Sequence, residues 1–477
     1  MPLDDGCDIV IVSDFHMSSG YSRRTGTYDR NEDFFYDAVF SRFVESLLLR
    51  AASESRRWRL LILGDFFDFL QVSLPKAQAH DATSQQTTLA QLDLIARGHP
   101  EVFLALARLT AAGHLLDLVI GNHDIELIWP EVQQRFRGLV SQHRPDDATE
   151  ISERINVHPW LFYVPGLVYA EHGQQHDPLN SFTTLLQPFL PDDPHVIELP
   201  LGSFFVLYLF NRIERLDPFA DNIRPVTRYL AWAFRAHPIV ALSTLGYHVR
   251  FFVRVLRKTS NLSADEQTAR RERYRQQVLL PQAERLGLSA EMAVALDQLS
   301  AIPALSSRWR QLEALLLRPA LPALPALGAI AAVYRGTRRV RPELRSLVLL
   351  LVGLVGLAWR ERALLRPVAQ SSSYMFLAAQ RVHACLKQFG IEVPAYVFGH
   401  THIAEQAPLT EDDEAPRYFN TGTWTPLVPH TFDLLSTRER FSFVQITRDR
   451  SSGQVTTALL TWNDAANRAE PLPLLTR

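Results

Sequence analysis

The chain has 477 residues, which is longer than one ordinary domain and predicts either two domains or one domain with a large insertion. Hydrophobic residues make up 47% of it, enough for a sizeable core, and 49 basic residues nearly balance 51 acidic ones. The two cysteines, Cys7 and Cys385, show no metal-binding or disulfide spacing. This argues against a disulfide framework and a thiolate metal site, and it favours a reducing cytoplasm. We expect no signal peptide at the acidic start of the chain.

The first part of the chain alternates predicted strands with predicted helices. Short apolar runs that end in polar clusters predict buried strands at residues 8–13, 59–64 and 116–121. Apolar residues at helical spacing predict helices at residues 34–51 and 101–112. This alternation is typical of an α/β fold.

The pattern changes in the middle of the chain. Strands are predicted at residues 155–164 and 167–170, and residues 181–370 then look helical almost throughout. The elements predicted after this stretch are a helix at 373–389, strands at 395–398 and 417–420, and a hairpin at 441–462. We therefore expect a discontinuous α/β domain, residues 1–180 and 371–477, interrupted by a large all-α insertion.

The predicted insertion is basic, with 25 Lys and Arg against 15 Asp and Glu over residues 181–370. Such a bias favours an anionic partner, such as a lipid surface, a nucleotide or nucleic acid. It is also typical of a solvated, Arg-rich helical face. Charge alone slightly favours that second interpretation.

The insertion also contains apolar segments with arginines at their edges. The longest uncharged runs, residues 236–249, 319–334 and 346–359, fall short of the roughly 20 apolar residues that a membrane span needs. Arg250 and Arg254 share one predicted helix face beside apolar residues, which makes them candidate contacts for a substrate or a membrane surface. Helices that bury against each other would show the same pattern, and both interpretations remain open.

Five short polar segments each follow a predicted strand. They are SDFH (Asp14, His16), GDFFD (Asp65, Asp68), GNHD (Asn122, His123, Asp124), EHG (His172) and GHTH (His400, His402). In open α/β sheets the ligand crevice lies at the carboxyl ends of the strands, so we expect these segments to converge.

The residue types in these segments point to a metal centre. Carboxylate oxygens and imidazole nitrogens suit Mn²⁺, Fe or Zn²⁺. One carboxylate can bridge two cations at roughly 3.5–4 Å, the spacing used for phosphoryl displacement. Each segment alone is a weak signal, but burying all five without a metal would be costly.

The ordered set resembles the calcineurin-like metallophosphoesterases, and residues 420–424 (NTGTW) resemble a strand–turn that follows GHxH in many of them. The resemblance covers about residues 7–180 and 393–462 and leaves the insertion out. It implies a four-layer metallophosphoesterase-type β-sandwich flanked by helices, with two bound divalent metal ions, Mn²⁺ before Fe or Zn²⁺.

The resemblance also implies a role for each residue. The first metal would be bound by Asp14, His16, Asp65 and His402, and the second by Asp65, Asn122, His172 and His400. His123 would be the general acid or a phosphate contact, oriented by Asp124, and Asp68 would support the ligands. A hydroxide bridging the metals would attack phosphorus. His176 is a candidate pocket residue, with a loop role equally open.

The substrate class is less sharply indicated. Phe69 stands where protein phosphatases have Arg, while the FHM and EHG contexts are similar to the UDP-2,3-diacylglucosamine pyrophosphatases. That resemblance implies a lipid-linked pyrophosphate, hydrolysed by a cytoplasmic enzyme peripheral to the membrane, with the insertion as lid or membrane contact. Alternatives are a nuclease or general phosphodiesterase, and a non-catalytic scaffold for a membrane or protein partner.

Overall fold

The structure, a computed structural model, describes residues 6–74, 84–190, 193–207, 264–306, 310, 374–411, 415–426, 441–449 and 452–472. These residues form a mixed α/β structure, as the alternation of elements predicted. Arg250, Arg254 and the uncharged segments at residues 236–249, 319–334 and 346–359 lie outside the described ranges.

The strands of the described residues, in chain order, are β1 (Asp8–Val12), β2 (Tyr21–Ser22), β3 (Thr27–Tyr28), β4 (Trp58–Leu63), β5 (Leu115–Val119), β6 (Ile155–His158), β7 (Leu161–Val164), β8 (Val168–Glu171), β9 (Phe189–Leu190), β10 (Asp193–Ile197), β11 (Ala395–Phe398), β12 (Glu405–Pro408), β13 (Arg417–Asn420), β14 (Phe441–Arg448), β15 (Val455–Asn463) and β16 (Arg468–Pro471).

The α-helices of the described residues are α1 (Asp37–Glu54), α2 (Gln85–Gly98), α3 (Pro100–Ala111), α4 (Pro130–Ser141), α5 (Ala148–Glu153), α6 (Leu201–Phe205), α7 (Ala264–Tyr274), α8 (Leu280–Ala283), α9 (Ala290–Gln298) and α10 (Tyr374–Gln388).

The larger sheet has the strand order β16–β15–β14–β1–β4–β5–β6. Strands β1, β4, β5 and β6 are parallel, and β14 runs antiparallel to β1. Parallel neighbours need crossover connections, which α1, α2 to α3, and α4 to α5 provide in turn. The carboxyl ends of β1, β4 and β5 therefore meet at one edge of this sheet.

The smaller sheet has the order β12–β13–β11–β8–β7, with β13, β11 and β8 parallel. Strands β8 and β11 are direct neighbours, pairing Glu171 with Phe398. The chain thus leaves the sheet after β8 and returns beside it about 220 residues later. In chain order, the intervening segment is therefore an insertion between two strands that are neighbours in the sheet.

The two sheets share an apolar core. Ile11 and Leu61 of the larger sheet are buried in one cluster with Val397 of the smaller sheet. Alternate residues point to the opposite faces, where helices pack. On the smaller sheet, Phe376 of α10 lies against Tyr418 of β13, with ring centroids 5.6 Å apart.

Two predictions about the elements are wrong in part. The single strand predicted at residues 155–164 is two strands, β6 and β7, in different sheets, because the chain breaks at Pro159 and Trp160. Proline lacks the N–H that a continuing strand needs. The helical prediction for residues 181–370 is wrong at Phe189–Leu190 and Asp193–Ile197, where β9 and β10 pair antiparallel. Helices α6 to α9 agree with it.

Among the described helices, none has both the length and the apolar character needed to cross a bilayer.

A buried ion cluster fixes the loop that follows β1. The Glu32 carboxylate accepts hydrogen bonds from the backbone N–H groups of Ser18, Gly20 and Phe34, at 3.3, 2.6 and 2.9 Å. His99, which is fully buried, contacts Glu32 through Nε2 at 3.2 Å and Asp37 through Nδ1 at 3.1 Å. Burial alone would lower the pKa of His99, but the two carboxylates outweigh it and raise the pKa to about 10.

This cluster predicts a pH-dependent contribution to stability. The folded pKa of His99 lies above its unfolded value of 6.5, so the stabilisation is complete below pH 6.5 and is lost as pH rises through 10. The free energy of unfolding of the wild type, minus that of His99→Gln, should therefore fall by several kcal/mol between pH 6.5 and 10, since each pKa unit corresponds to about 1.4 kcal/mol. Urea unfolding across this range measures the difference.

The matched control is His195→Gln, because His195 is exposed. Its difference from the wild type should stay flat over the same pH range. A flat difference for His99→Gln as well would contradict the ionic role of His99.

Candidate metal centre

The predicted ligands lie where strands end. Asp14 and His16 follow β1, Asp65 follows β4, and His172 follows β8. His400 and His402 follow β11, which returns to the sheet beside β8. The carboxyl ends of both sheets thus supply side chains to one place.

The first grouping joins residues from both ends of the chain. Asp14, His16 and His402 offer ligand atoms that all lie within 4.8 Å of one another. Nε2 of His402 is 3.3 Å from Oδ1 of Asp14 and 3.1 Å from Nε2 of His16. These residues can hold a metal ion.

The second grouping contains Asp65, His172 and His400, within the same distance limit. Nε2 of His172 lies 3.0 Å from Oδ2 of Asp65. Nε2 of His16, from the first grouping, lies 3.8 Å from that same oxygen. Asp65 therefore lies between the two groupings, and a third overlapping set adds His123 to His16 and Asp65.

Two buried oxygen atoms indicate that the site suits a cation. Oδ1 of Asp14 and Oδ1 of Asn122 are buried, and neither accepts a hydrogen bond from the described residues. Buried polar atoms normally find a partner, and unpartnered carboxylate oxygens are costly. Both atoms are pure acceptors, so a bound cation would satisfy them and a further hydrogen-bond acceptor would not. The donor set fits an oxygen- and nitrogen-binding metal.

Backbone strain is concentrated at the same residues. Five predicted ligands have a positive φ, between 50° and 69°, a backbone conformation that residues other than Gly rarely adopt. They are Asp14, His16, Asp65, His400 and His402. Such strain persists where the surrounding structure imposes it, and it clusters at functional sites.

Glycines allow the strand ends to approach closely. A Cβ on Gly121 would lie 2.1 Å from Oδ1 of Asp65, and one on Gly64 would lie 2.4 Å from Nδ1 of His172. Neither position can carry a side chain without moving a ligand. Asn122 follows Gly121, and the N–H of His123 donates to Oδ1 of Asp65 at 2.9 Å. Asn122 is thus held beside Asp65.

The segment at residues 420–424 supports two ligand loops. The side-chain amide of Asn420 donates to the carbonyl of Gly399 at 2.7 Å, and Oγ1 of Thr423 donates to the carbonyl of Asp14 at 2.7 Å. The N–H of Trp424 donates to that same carbonyl at 3.2 Å. This turn therefore holds the β1 and β11 loops at a fixed separation.

The partner of His123 differs from the prediction. Nδ1 of His123 lies 2.6 Å from Oδ2 of Asp68, which also lies 3.2 Å from Nδ1 of His16. The two oxygens of Asp124 instead accept the N–H groups of Gly121 and Phe66, at 2.6 and 2.8 Å. The orienting role predicted for Asp124 falls to Asp68, while Asp124 fixes the loops.

The surrounding charges match these roles. Burial alone would raise the pKa of Asp68, but His123 and His16 outweigh it and lower the pKa to about 2, so this carboxylate stays charged. Burial lowers the pKa of His400, which keeps its ring neutral as metal binding requires. For Asp124, burial and the nearby Asp65 carboxylate raise the pKa to about 7.

His176, the candidate pocket residue, is not a member of these groupings. His176 is buried, and its Nε2 contacts Oε1 of Glu171 at 2.7 Å. Asp177, which the sequence did not single out as a ligand partner, lies 3.3 Å from Nε2 of His400 through its Oδ2. Its only sequence signal was its closeness to His172. Arg250 and Arg254 lie outside the described residues.

Compared with known proteins, the chain matches no protein-family model and no curated protein.

Because His172 must lose a proton to bind a metal ion, we expect metal binding to depend on pH. Its Nδ1 lies 2.8 Å from the carbonyl oxygen of Leu63, so Nδ1 carries a proton and Nε2 faces Asp65. Burial alone would lower the pKa of His172, but Asp65 and Asp14 outweigh it and raise the pKa to about 9 in the metal-free protein. A cation must displace the Nε2 proton, so binding at pH 7 should release about one proton from this residue.

The proton count follows from Mn²⁺ titration calorimetry at pH 7 in buffers of different ionisation enthalpy. Affinity should rise about tenfold per pH unit for each proton released, up to about pH 9. His172→Gln should release one proton fewer than the wild type. An affinity independent of pH between 6.5 and 9 would refute this assignment.

Proposed function

We propose that this chain is a metal-dependent phosphoesterase that uses two divalent cations to hydrolyse a phosphoester or pyrophosphate bond. The observation that carries the proposal is the position of Asp65, which belongs to the second grouping and lies between the two, because its Oδ2 is 3.8 Å from Nε2 of His16 in the first grouping. A carboxylate shared in this way is what a two-cation centre for phosphoryl transfer needs. The unpartnered oxygens of Asp14 and Asn122 add support.

Each cation would have a mixed set of oxygen and nitrogen ligands. The first set is Asp14, His16, Asp65 and His402, and the second set is Asp65, Asn122, His172 and His400. These hard and borderline donors favour Mn²⁺, with Fe and Zn²⁺ as alternatives. Bound divalent cations supply an activated water at neutral pH and neutralise the charge that develops on the phosphoryl oxygens.

His123 is the group best placed to handle a proton. Asp68 stays charged and lies against Nδ1 of His123, so the Nδ1 proton is held there and Nε2 is left for the substrate. The side chain of His123 is 16% exposed, whereas that of His172 is fully buried. A protonated Nε2 would donate to the leaving oxygen as general acid.

We also propose that the fold is the four-layer sandwich that the resemblance to calcineurin-like metallophosphoesterases implies. Supporting this are the shared core of the two sheets and the helices outside each of them. The ligands come from β1, β4, β5, β8 and β11 in the order that this resemblance requires.

For the substrate, we propose a lipid-linked pyrophosphate reached from the membrane surface. The support is the sequence of residues 181–370, where basic residues exceed acidic ones and flank apolar runs. Arginines at the edges of apolar segments suit an anionic interface.

The activity test compares bis-p-nitrophenyl phosphate, p-nitrophenyl phosphate and a UDP-linked lipid pyrophosphate as substrates. With Mn²⁺ the wild type should turn over at least one of them, and chelation should abolish turnover. Asp65→Ala should lose activity at least about 10³-fold, since it removes a ligand from both cations. The lipid pyrophosphate should be the preferred substrate.

The matched control is Asp93→Ala, which removes an exposed aspartate in an ion pair with Arg135. It should retain wild-type activity. Folded wild-type protein that turns over none of the three substrates with Mn²⁺, Fe²⁺ or Zn²⁺ would overturn the proposal.

His123→Gln separates proton transfer from metal binding. Loss of a general acid should lower kcat by about 10²–10⁴-fold, while the amount of Mn²⁺ bound per chain stays at the wild-type value. Equilibrium dialysis measures the bound metal. If this variant instead binds one Mn²⁺ ion fewer than the wild type, His123 is a metal ligand. Its membership of the third set, with His16 and Asp65, is compatible with that outcome.

A further inference from the structure

The loop that leaves β8 carries a carboxylate with contacts in two directions. Oδ2 of Asp177 lies 3.3 Å from Nε2 of His400. The same oxygen accepts a hydrogen bond from the side-chain amide of Asn180 at 2.8 Å. Its Oδ1 accepts the N–H of Leu179 at 2.9 Å. Asp177 thus joins a predicted metal ligand to the start of the segment inserted between β8 and β11.

The contact with His400 determines which ring nitrogen carries the proton. Both oxygens of Asp177 accept N–H donors, from Leu179 on Oδ1 and from Asn180 on Oδ2. A carboxylate in this arrangement serves as a hydrogen-bond acceptor. Nε2 of His400 must be the donor, and its Nδ1 keeps a free lone pair. Metal-binding histidines are commonly fixed by a carboxylate on the second nitrogen in this way.

The loop itself is held by the described part of the inserted segment. The N–H of Gly202 in α6 donates to the carbonyl of Leu179 at 2.8 Å, and the N–H of Ala304 donates to the carbonyl of Pro178 at 2.7 Å. The N–H of Ala301 donates to the carbonyl of Gln175 at 2.7 Å. The carboxylate that contacts His400 is therefore supported by backbone contacts from residues far along the chain.

We propose that Asp177 is a positioning residue for the second cation: it sets the tautomer and ring orientation of His400 without binding the metal itself. This inference rests on the proposed two-cation centre, because it assigns a partner to one ligand of that centre. The ligand class is a divalent cation. Partners of this kind affect metal affinity by about 10–100-fold.

The test measures Mn²⁺ binding to the full chain. Calorimetry gives the number and affinity of the bound ions, and electron paramagnetic resonance detects coupled Mn²⁺ pairs. Wild type should bind two equivalents. In Asp177→Asn one of the two equivalents should lose about 10–100-fold in affinity. The coupled-pair signal should fall accordingly, while the other equivalent keeps wild-type affinity.

A double-mutant cycle separates an effect on His400 from a general loosening of the loop. If Asp177 acts through His400, Asp177→Asn should have no further effect in the His400→Ala background. Asn180→Ala is the matched loop control, since it removes a hydrogen bond from the same oxygen but leaves the His400 contact in place. It should keep Mn²⁺ affinity within about twofold of the wild type.

The outcomes also separate this inference from the proposed function. Two bound equivalents in the wild type and in Asp177→Asn, with equal affinities, would overturn the positioning role alone. Equal losses in Asp177→Asn and Asn180→Ala, or an additive effect in the His400→Ala background, would overturn it as well. A wild type that binds no Mn²⁺ would overturn the two-cation centre and this inference together.

Discussion

The rest of the structure depends on the burial of several carboxylates at one end of the two sheets. Asp14, Asp65 and Asp68 are each at most 1% exposed, and they lie among imidazole rings. Concentrated negative charge in a poorly solvated place needs nearby positive charge. Protonated histidine can supply part of it in the metal-free protein, and cations can supply the rest. The imidazoles thus suit both states.

The same constraint explains the local backbone. Bringing carboxylates and rings from separate strands together forces the chain to turn sharply just after each strand, which is why Asp14, Asp65 and His400 adopt a positive φ. The unfavourable dihedral angles are stabilised by contacts from elsewhere, above all the turn at residues 420–424. For Asp14, the strained residue and the turn that supports it are 409 positions apart in the chain, whereas the β11 loop lies close to that turn in sequence.

The sequence predicted the elements that carry the ligands better than the elements that connect them. Strands β1, β4 and β5 and helices α1 and α3 were identified because apolar periodicity and flanking polar clusters agree there. Helix α2 was missed because it begins at polar residues, capped by the side chain of Ser84, with little apolar signal in its first turn. The break between β6 and β7 depends on which sheet each half joins, and this is a tertiary choice.

The candidate ligands could be identified from the sequence because their spacing is local, two residues apart in SDFH and GHTH. The contacts that orient them were not, because Asp68, Asp124 and Asp177 find their partners only after folding. Both Asp68 and Asp124 were singled out, and the structure assigns the contact with His123 to Asp68. Sequence order could not distinguish them, since each lies within four residues of a predicted ligand.

Strand β1 has a further consequence for the order in which the chain acquires its structure during synthesis. One edge of β1 pairs with β4 early, but its other edge pairs with β14, where Ile9 lies opposite Ile446. A nascent chain therefore carries an apolar central strand with one unpaired edge until β14 has left the ribosome. Open edges of this kind invite association with other chains. The long segment between β8 and β11 lengthens that exposed period, so its size bears on the risk of aggregation and the need for chaperones.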